Sequence, residues 1–170
     1  MAAGDTKIAY AASSNLTITL ASLASDTNLL AGRESSEVDN TSNLYVDYLL
    51  SGKITTGTSP TTARSIEVHV LGLLDDSTYP DVFDGTDSAE TITNLGIKNS
   101  ICRQAMAIDT VNTSDLAYPF GPISVASLFG GRLPKKFVVF VTHSTGVNLN
   151  STGGNHQITI TPVYYTTAQS

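Results

Sequence analysis

Residues 137–143 read FVVFVTH, and this stretch decides the fold. Successive side chains of a β-strand point to opposite faces of the sheet. A run that is apolar at consecutive positions therefore has two faces that have to be buried. A strand with one solvent-exposed face instead alternates between apolar and polar residues. The stretch predicts a central strand of a layered β-structure.

Other segments alternate with a period of two, as half-buried strands do. They are residues 16–20, 44–50, 66–71, 100–109 and 157–165. In residues 66–71 the alternation predicts that Ile66, Val68 and Val70 face inward and that Glu67 and His69 face outward. Pro162 interrupts the last segment and lacks an amide hydrogen, so we expect an edge strand or a bulge there.

These patterns predict an all-β fold, an antiparallel β-sandwich of the jelly-roll or Greek-key type, with at most one short helix. Several strands that need cover on both faces cannot be buried in one flat sheet, so two sheets have to face each other. The helix is expected at residues 124–129, with Ser124 as N-cap and Gly130 just beyond its end. We expect an N-terminal arm at residues 1–15 and a single β-sandwich domain at residues 16–170.

Composition excludes several classes of partner. Only 14% of the residues are charged and the net charge is −6, which argues against nucleic acid because neutralising phosphates requires a basic face. Thr, Ser and Asn supply the polar surface, and a weakly ionic surface suits contact with other protein subunits. The N-terminus lacks the pattern of a secretory signal, and no apolar stretch is long enough to suggest a membrane span. We expect neither nucleic acid nor a membrane as a partner.

Three sets of residues are candidates for a chemical site. The acidic stretch at residues 75–87 lacks EF-hand spacing, so a solvated loop is favoured over a Ca²⁺ site. The histidines, His69, His143 and His156, accompany no nucleophile-elbow motif, and Cys102 is expected to be a small buried side chain. The sequence predicts no enzyme, no metal and no cofactor. A carbohydrate site is an alternative, in which sugars stack on tyrosines: Tyr45, Tyr79, Tyr118, Tyr164 and Tyr165.

The arm is the candidate for assembly contacts. Its residues are small and polar, and free termini of this kind are normally not ordered without a partner. A neighbouring subunit is the favoured partner, and docking on the arm's own domain is the alternative. The expected contact residues are Met1, Ala2, Ala3, Lys7, Ile8, Tyr10 and Asn15.

Four stretches carry a resemblance to a known family. They read GRESSEVDNTSNLYVD at residues 32–47, GKITTG at 52–57, YPFGPISV at 118–125 and FGGRLPK at 129–135. Together they resemble small virion structural proteins of tailed bacteriophages. The resemblance extends from about residue 8 to the end of the chain and is one of general pattern.

The resemblance implies a jelly-roll-like capsid decoration, or cement, protein on the outer surface of the head, synthesised in the host bacterial cytoplasm. Its partners would be the major capsid protein and further copies of itself, and we expect the isolated protein to be a homotrimer. The alternative is a collar, head-fibre or tail component with a role in binding a receptor or glycan. The family has no catalytic residues to carry over to this sequence.

Overall fold

The computed structural model describes residues 5–167 and consists mainly of β-strands. The strands, in chain order, are β1 (Thr6–Tyr10), β2 (Ser14–Asn15), β3 (Ala31–Glu34), β4 (Val38–Asp39), β5 (Asp47–Thr55), β6 (Arg64–Gly72), β7 (Ala89–Thr91), β8 (Arg103–Thr110), β9 (Ala117–Ser124), β10 (Lys136–His143) and β11 (Gln157–Thr167). Two helices, α1 (Leu95–Ile101) and α2 (Val125–Leu128), and a 3-10 turn (Gly153–Asn155) complete the described structure.

The strands form two antiparallel sheets. Sheet A has the order β1-β11-β5-β9, and β2 also pairs with β11. Sheet B has the order β7-β3-β10-β6-β8, and β4 also pairs with β10. With β1 and β2 counted as one strand, β3 and β4 as the next, and β7 set aside, the chain order reads 1-8-3-6 in one sheet and 2-7-4-5 in the other. This is the jelly-roll arrangement, and the prediction of an all-β antiparallel sandwich is confirmed.

The main core lies between the two sheets. β10 contributes Phe137, Val139 and Val141 to this core, while Val138 and Phe140 belong to a second core on the other face of sheet B. The prediction that residues 137–143 are buried on both faces is confirmed. The second face is covered by the chain between β6 and β8, not by another sheet.

That covering segment corrects the prediction for residues 66–71. His69 was expected to face outward, but it is 4% exposed, and Glu67 is half-buried. α1 packs over this face and brings Lys98 against Glu67. Helix α1, which Asn94 caps, also includes the start of the segment predicted as a strand from residue 100, so β8 begins only at Arg103.

Two other predicted strands differ at their starts. Residues 16–20 do not form a strand; Leu20 is buried, and the backbone amide of Thr19 donates to the Asp87 carboxylate. The alternation there reflects burial in an extended connection. β5 begins at Asp47 and not at residue 44, because Leu44 has a left-handed φ of 52°.

The predicted turn of helix is found, whereas the prediction of an edge strand at Pro162 is wrong. Ser124 caps α2 by accepting a hydrogen bond from the amide of Ser127, and Gly130 follows with a φ of 70°. Pro162 lies in β11, a central strand, and not at an edge. Its carbonyl accepts from the amide of Ala11, and the nitrogen of the same residue points to the same side of the strand. That nitrogen therefore faces the interruption between β1 and β2, where the missing N–H costs no ladder hydrogen bond.

Candidate assembly surface

The described part of the predicted arm is a strand of sheet A. Lys7, Ile8 and Tyr10 lie in β1, Asn15 lies in β2, and both strands pair with the chain's own β11. Docking on the same domain, the alternative considered for the arm, is therefore what residues 6–15 do within one chain. Met1, Ala2 and Ala3 lie outside the described residues. Contact of the arm with a neighbouring molecule stays a prediction.

β1 is an open edge. The amide of Ala11 donates to Pro162 O at 3.0 Å, which fixes the direction of the alternating backbone groups. Odd-numbered residues of β1 therefore face β11, and the N–H and C=O groups of Thr6, Ile8 and Tyr10 point away from the sheet. Within residues 5–167, no strand lies beyond β1 on that side.

The outer face of sheet A next to this edge is apolar and exposed. Ile8 is 58% exposed, Tyr10 62% and Tyr165 61%. Ile8 lies directly opposite Tyr165, and Tyr10 lies directly opposite Val163, so all four side chains share one face. The face away from the core thus presents a band of large apolar side chains at the sheet's edge.

The loop at residues 40–46 adds an exposed leucine at the same end of the sheet. The side chain of Asn40 closes this loop, because its Oδ1 accepts from the amide of Tyr45 and its Nδ2 donates to Tyr45 O, both at 2.9 Å. Leu44 protrudes from the loop and is 74% exposed. The amide of Val46 donates to Val163 O, which joins the loop to β11.

We call the surface formed by five exposed residues the apolar end of sheet A: Ile8, Tyr10, Leu44, Val46 and Tyr165. They are five of the eight large hydrophobic side chains that are exposed among the described residues. Scattered single apolar side chains are ordinary on a protein surface, but several at one end of a sheet indicate a contact surface. Here they come from β1, from β11 and from the loop that the Val46 amide joins to β11.

A cavity of about 460 Å³ lies beside the apolar end. Its walls come from the 40–46 loop and from the segment before β10, and its lining residues are Asn40, Thr41, Leu44, Tyr45, Leu133 and Lys135. Of the five tyrosines considered for sugar stacking, Tyr45 and Tyr164 come together, with ring centroids 6.1 Å apart. Tyr79 is buried in the second core, and its hydroxyl donates to Glu37.

A buried polar cluster lies on the outer face of sheet B. Glu67 Oε2 accepts from Lys98 Nζ at 2.7 Å and lies 2.9 Å from His69 Nε2. The hydrogen bond from His69, followed by the contact with Lys98, outweighs burial and lowers the pKa of Glu67 to about 2. The sequence did not predict this cluster, because the alternation in β6 indicated that Glu67 and His69 face solvent. The helix signal of Asn94 could have revealed the cover.

Cys102 lies at the end of α1 beside this cluster and is buried, as predicted. Burial raises the pKa of its thiol to about 11, so the sulfur is neutral at ordinary pH. Cys102 lines a cavity of about 410 Å³ together with the three residues of the cluster. The side chain packs as a small apolar group in the second core.

The other two histidines connect loops. His143 Nε2 lies 3.0 Å from Leu23 O, and His156 Nε2 lies 2.8 Å from Asn150 O. Burial lowers the pKa of both rings, so both are neutral near pH 7. In residues 5–167, none of the hydrogen bonds that the three histidine rings make is to a serine hydroxyl.

The acidic loop at residues 75–87 uses its carboxylates to hold its own turns. Asp75 accepts from the amides of Ser77 and Thr78, and Asp84 accepts from Thr86. These hydrogen bonds lower the pKa values of Asp75 and Asp84. In the part of the chain that the structure describes, no group of three or more His, Cys, Asp or Glu side chains is placed to hold a metal ion.

Glu34 ties this loop to sheet B. Its side chain is fully buried and accepts from the amides of Gly85 at 2.7 Å and Asp84 at 3.2 Å. Burial outweighs these hydrogen bonds, and the pKa of Glu34 is raised to about 7. The nearby carboxylates of Asp84 and Glu90 act in the same direction as burial.

The comparisons with known proteins leave the function to be argued from the structure. No family model matches the chain, and no curated protein or solved structure matches it at the level of significance required. A search of residues 5–167 for a helix long and apolar enough to cross a membrane finds none.

Proposed function

We propose that this protein is a structural protein of a tailed-phage virion that decorates the head shell. It binds the major capsid protein and neighbouring copies of itself. The single observation that carries the proposal is the apolar end of sheet A, which has an open strand edge, an exposed apolar face and, on the loop joined to β11, the protruding Leu44. The jelly-roll fold is compatible with the family that the sequence resembles.

The character of this surface favours a protein contact. The apolar end contains no ionised side chain, so little charge has to be desolvated when a partner covers it. A protein that binds only the assembled shell shifts the equilibrium toward the assembled state. Many copies on one shell also add their weak contacts together. A modest apolar surface is therefore sufficient for a cement protein.

A second candidate is a collar, head-fibre or tail component that binds a glycan. The cavity beside the apolar end favours it, because Tyr45 provides an aromatic wall and Lys135 provides an exposed polar group. Binding of the isolated protein to a glycan array, lost on Tyr45→Ala, would support this candidate. Decoration of the head requires no such binding.

The test is incorporation into particles. Particles of the phage that encodes this chain are prepared without the protein, and purified wild type or variant is added back. Leu44→Asp is expected to lower occupancy at least tenfold, because it places a charge at the most exposed side chain of the proposed contact. Asp tolerates the left-handed backbone at this position, so the fold is not strained.

The matched control is Leu74→Asp, which changes a leucine of similar exposure, 69%, outside the apolar end. Its occupancy is expected to equal that of the wild type. Equal occupancy of both variants, or failure of the wild type to bind particles, would contradict the proposal.

A further inference from the structure

We propose that β1 of one molecule pairs antiparallel with β1 of a second copy about a two-fold axis, so that their two A sheets become continuous. The proposal names a second copy as one partner of the apolar end, and it rests on the proposed function for its biological setting. The two-fold contact predicts dimers in solution, in place of the homotrimer expected from the sequence.

The register of this pairing follows from the backbone. Thr6, Ile8 and Tyr10 point their N–H and C=O groups outward, since the residues between them face β11. Only the register that places Ile8 opposite Ile8 and Thr6 opposite Tyr10 pairs every outward group of both strands. In any shifted register at least one outward residue of each copy loses its partner.

The same register brings the apolar side chains into one row. Ile8 already lies opposite Tyr165 within each chain, so the row across the axis reads Tyr165, Ile8, Ile8, Tyr165. Cross-strand apolar pairs of this kind stabilise sheets. Lys7 lies opposite Ala9 of the second copy, so no like charges stand directly opposite each other.

Only one of the two edges of sheet A is suited to pairing. The other edge strand is β9, in which Pro119 lies opposite Lys53 of β5. The backbone groups of Lys53 point toward β11, so those of Pro119 point outward from the sheet. Proline has no N–H, so this position offers no donor to a further strand. Pro122 and a register shift between Leu50 and Gly52 interrupt the same strand. Prolines and bulges on edge strands prevent association. β1 contains neither.

The size of the contact predicts a weak, reversible pair. An aromatic side chain buries on the order of 150–250 Å² when fully covered, so Tyr10, Tyr165 and Ile8 bring at most roughly 300–400 Å² per copy. Two copies thus bury less than the roughly 1,200 Å² at which stable interfaces begin. Pairing is then favoured where copies are concentrated side by side, as they are on a lattice.

Cross-linking under a mild oxidant tests the register. Ile8→Cys is expected to form a covalent dimer, because hydrogen-bonded partners across antiparallel strands lie about 5.5 Å apart, within disulfide range. Thr6→Cys and Tyr10→Cys are each expected to remain uncross-linked alone and to form a mixed dimer when combined. The protein is used at concentrations on the order of 0.1–1 mM, where weak pairs are populated.

The wild type is the background control, since Cys102 is its one cysteine and is buried. Cross-linking of all three variants alone would indicate random collisions and would overturn the proposal. The absence of a covalent dimer of Ile8→Cys would also overturn it.

A pair of proline variants separates loss of pairing from loss of folding. Ile8→Pro removes an outward donor and is expected to abolish the concentration-dependent dimer in sedimentation while the unfolding midpoint stays close to that of the wild type. Ala9→Pro removes a donor that faces β11 and is expected to lower the midpoint. Unchanged dimerisation of Ile8→Pro would contradict the proposal.

These measurements use the isolated protein, so their failure is distinguishable from failure of the proposed function. Register-specific cross-linking by a protein that never binds particles would refute head decoration and leave the pairing intact. Particle binding without the cross-linking pattern would refute the pairing alone.

Discussion

The outer faces of the two sheets carry similar apolar side chains but meet different surroundings. On sheet B, Phe140 and Leu71 are covered by the chain between β6 and β8, and α1 closes over Glu67. On sheet A, Ile8 and Tyr165 lie at the surface. The chain covers one apolar outer face itself and leaves the end of the other open, which is why we assign the contact with partners to sheet A.

The largest expected effect contrasts one aromatic side chain from each face. Phe140→Ala is expected to lower the free energy of unfolding by about 3–5 kcal/mol, because it leaves a cavity in the second core. Tyr165→Ala is expected to change it by less than about 0.5 kcal/mol, since the side chain is exposed. Urea unfolding followed by circular dichroism measures both. Equal losses would show that the two faces are covered alike.

The next effect concerns the cover over sheet B. Lys98→Met is expected to lower the free energy of unfolding by about 3 kcal/mol, because it leaves the Glu67 carboxylate buried without its cation. In a Glu67→Gln background the same substitution is expected to cost much less. A double-mutant cycle measures the difference. An equal cost in both backgrounds would mean that the ion pair does not hold α1 to the sheet.

The smallest expected effect is a pH dependence at the loop that Glu34 holds. The folded pKa of Glu34 is about 7, above the ordinary value of 4.5, so the folded state retains a proton that the unfolded chain releases. The contribution of Glu34 is therefore fully present below pH 4.5 and is lost as the pH rises toward 7.

Glu34→Gln removes this slope. The stability of the wild type relative to Glu34→Gln is expected to fall by on the order of 2 kcal/mol between pH 4.5 and pH 7. Thermal unfolding of both proteins across this range measures it. A constant difference between the two proteins would contradict the raised pKa.

The sequence was informative where a pattern depends only on the local chain. Residues 137–143 predicted a strand with two buried faces, and Ser124 with Gly130 predicted the short turn of helix; both are found. The antiparallel sandwich of jelly-roll or Greek-key type was also predicted from strand patterns and their spacing. These features are encoded by alternation and capping, which neighbouring residues determine.

The sequence failed where distant segments meet. His69 fits the alternation within β6, but its burial depends on α1, which lies about thirty residues later in the chain. The sequence of β6 alone does not predict that contact. Residues 16–20 alternate as a strand would, but Asp87 takes the hydrogen bond of Thr19 in place of a neighbouring strand. Leu44 was expected inside a strand, and the closure of its loop by Asn40 places it in solvent.

The predicted contact residues overlap in part with the apolar end, and their contact with a partner stays a prediction. Ile8 and Tyr10 lie in the apolar end, and Lys7 precedes Ile8 in the same strand. Leu44, Val46 and Tyr165 were not predicted, because β11 and the 40–46 loop join β1 only in the folded sheet. Alternation alone does not reveal which apolar face remains without cover.

The most direct test of the central claim is a cryo-electron microscopy reconstruction of the intact virion to which the proposal assigns this chain. The account predicts a jelly roll on the outside of the head, with Ile8, Leu44 and Tyr165 in contact with the shell or a neighbouring copy. A particle without this chain, or one in which the chain docks through the other sheet and leaves these side chains in solvent, would contradict it.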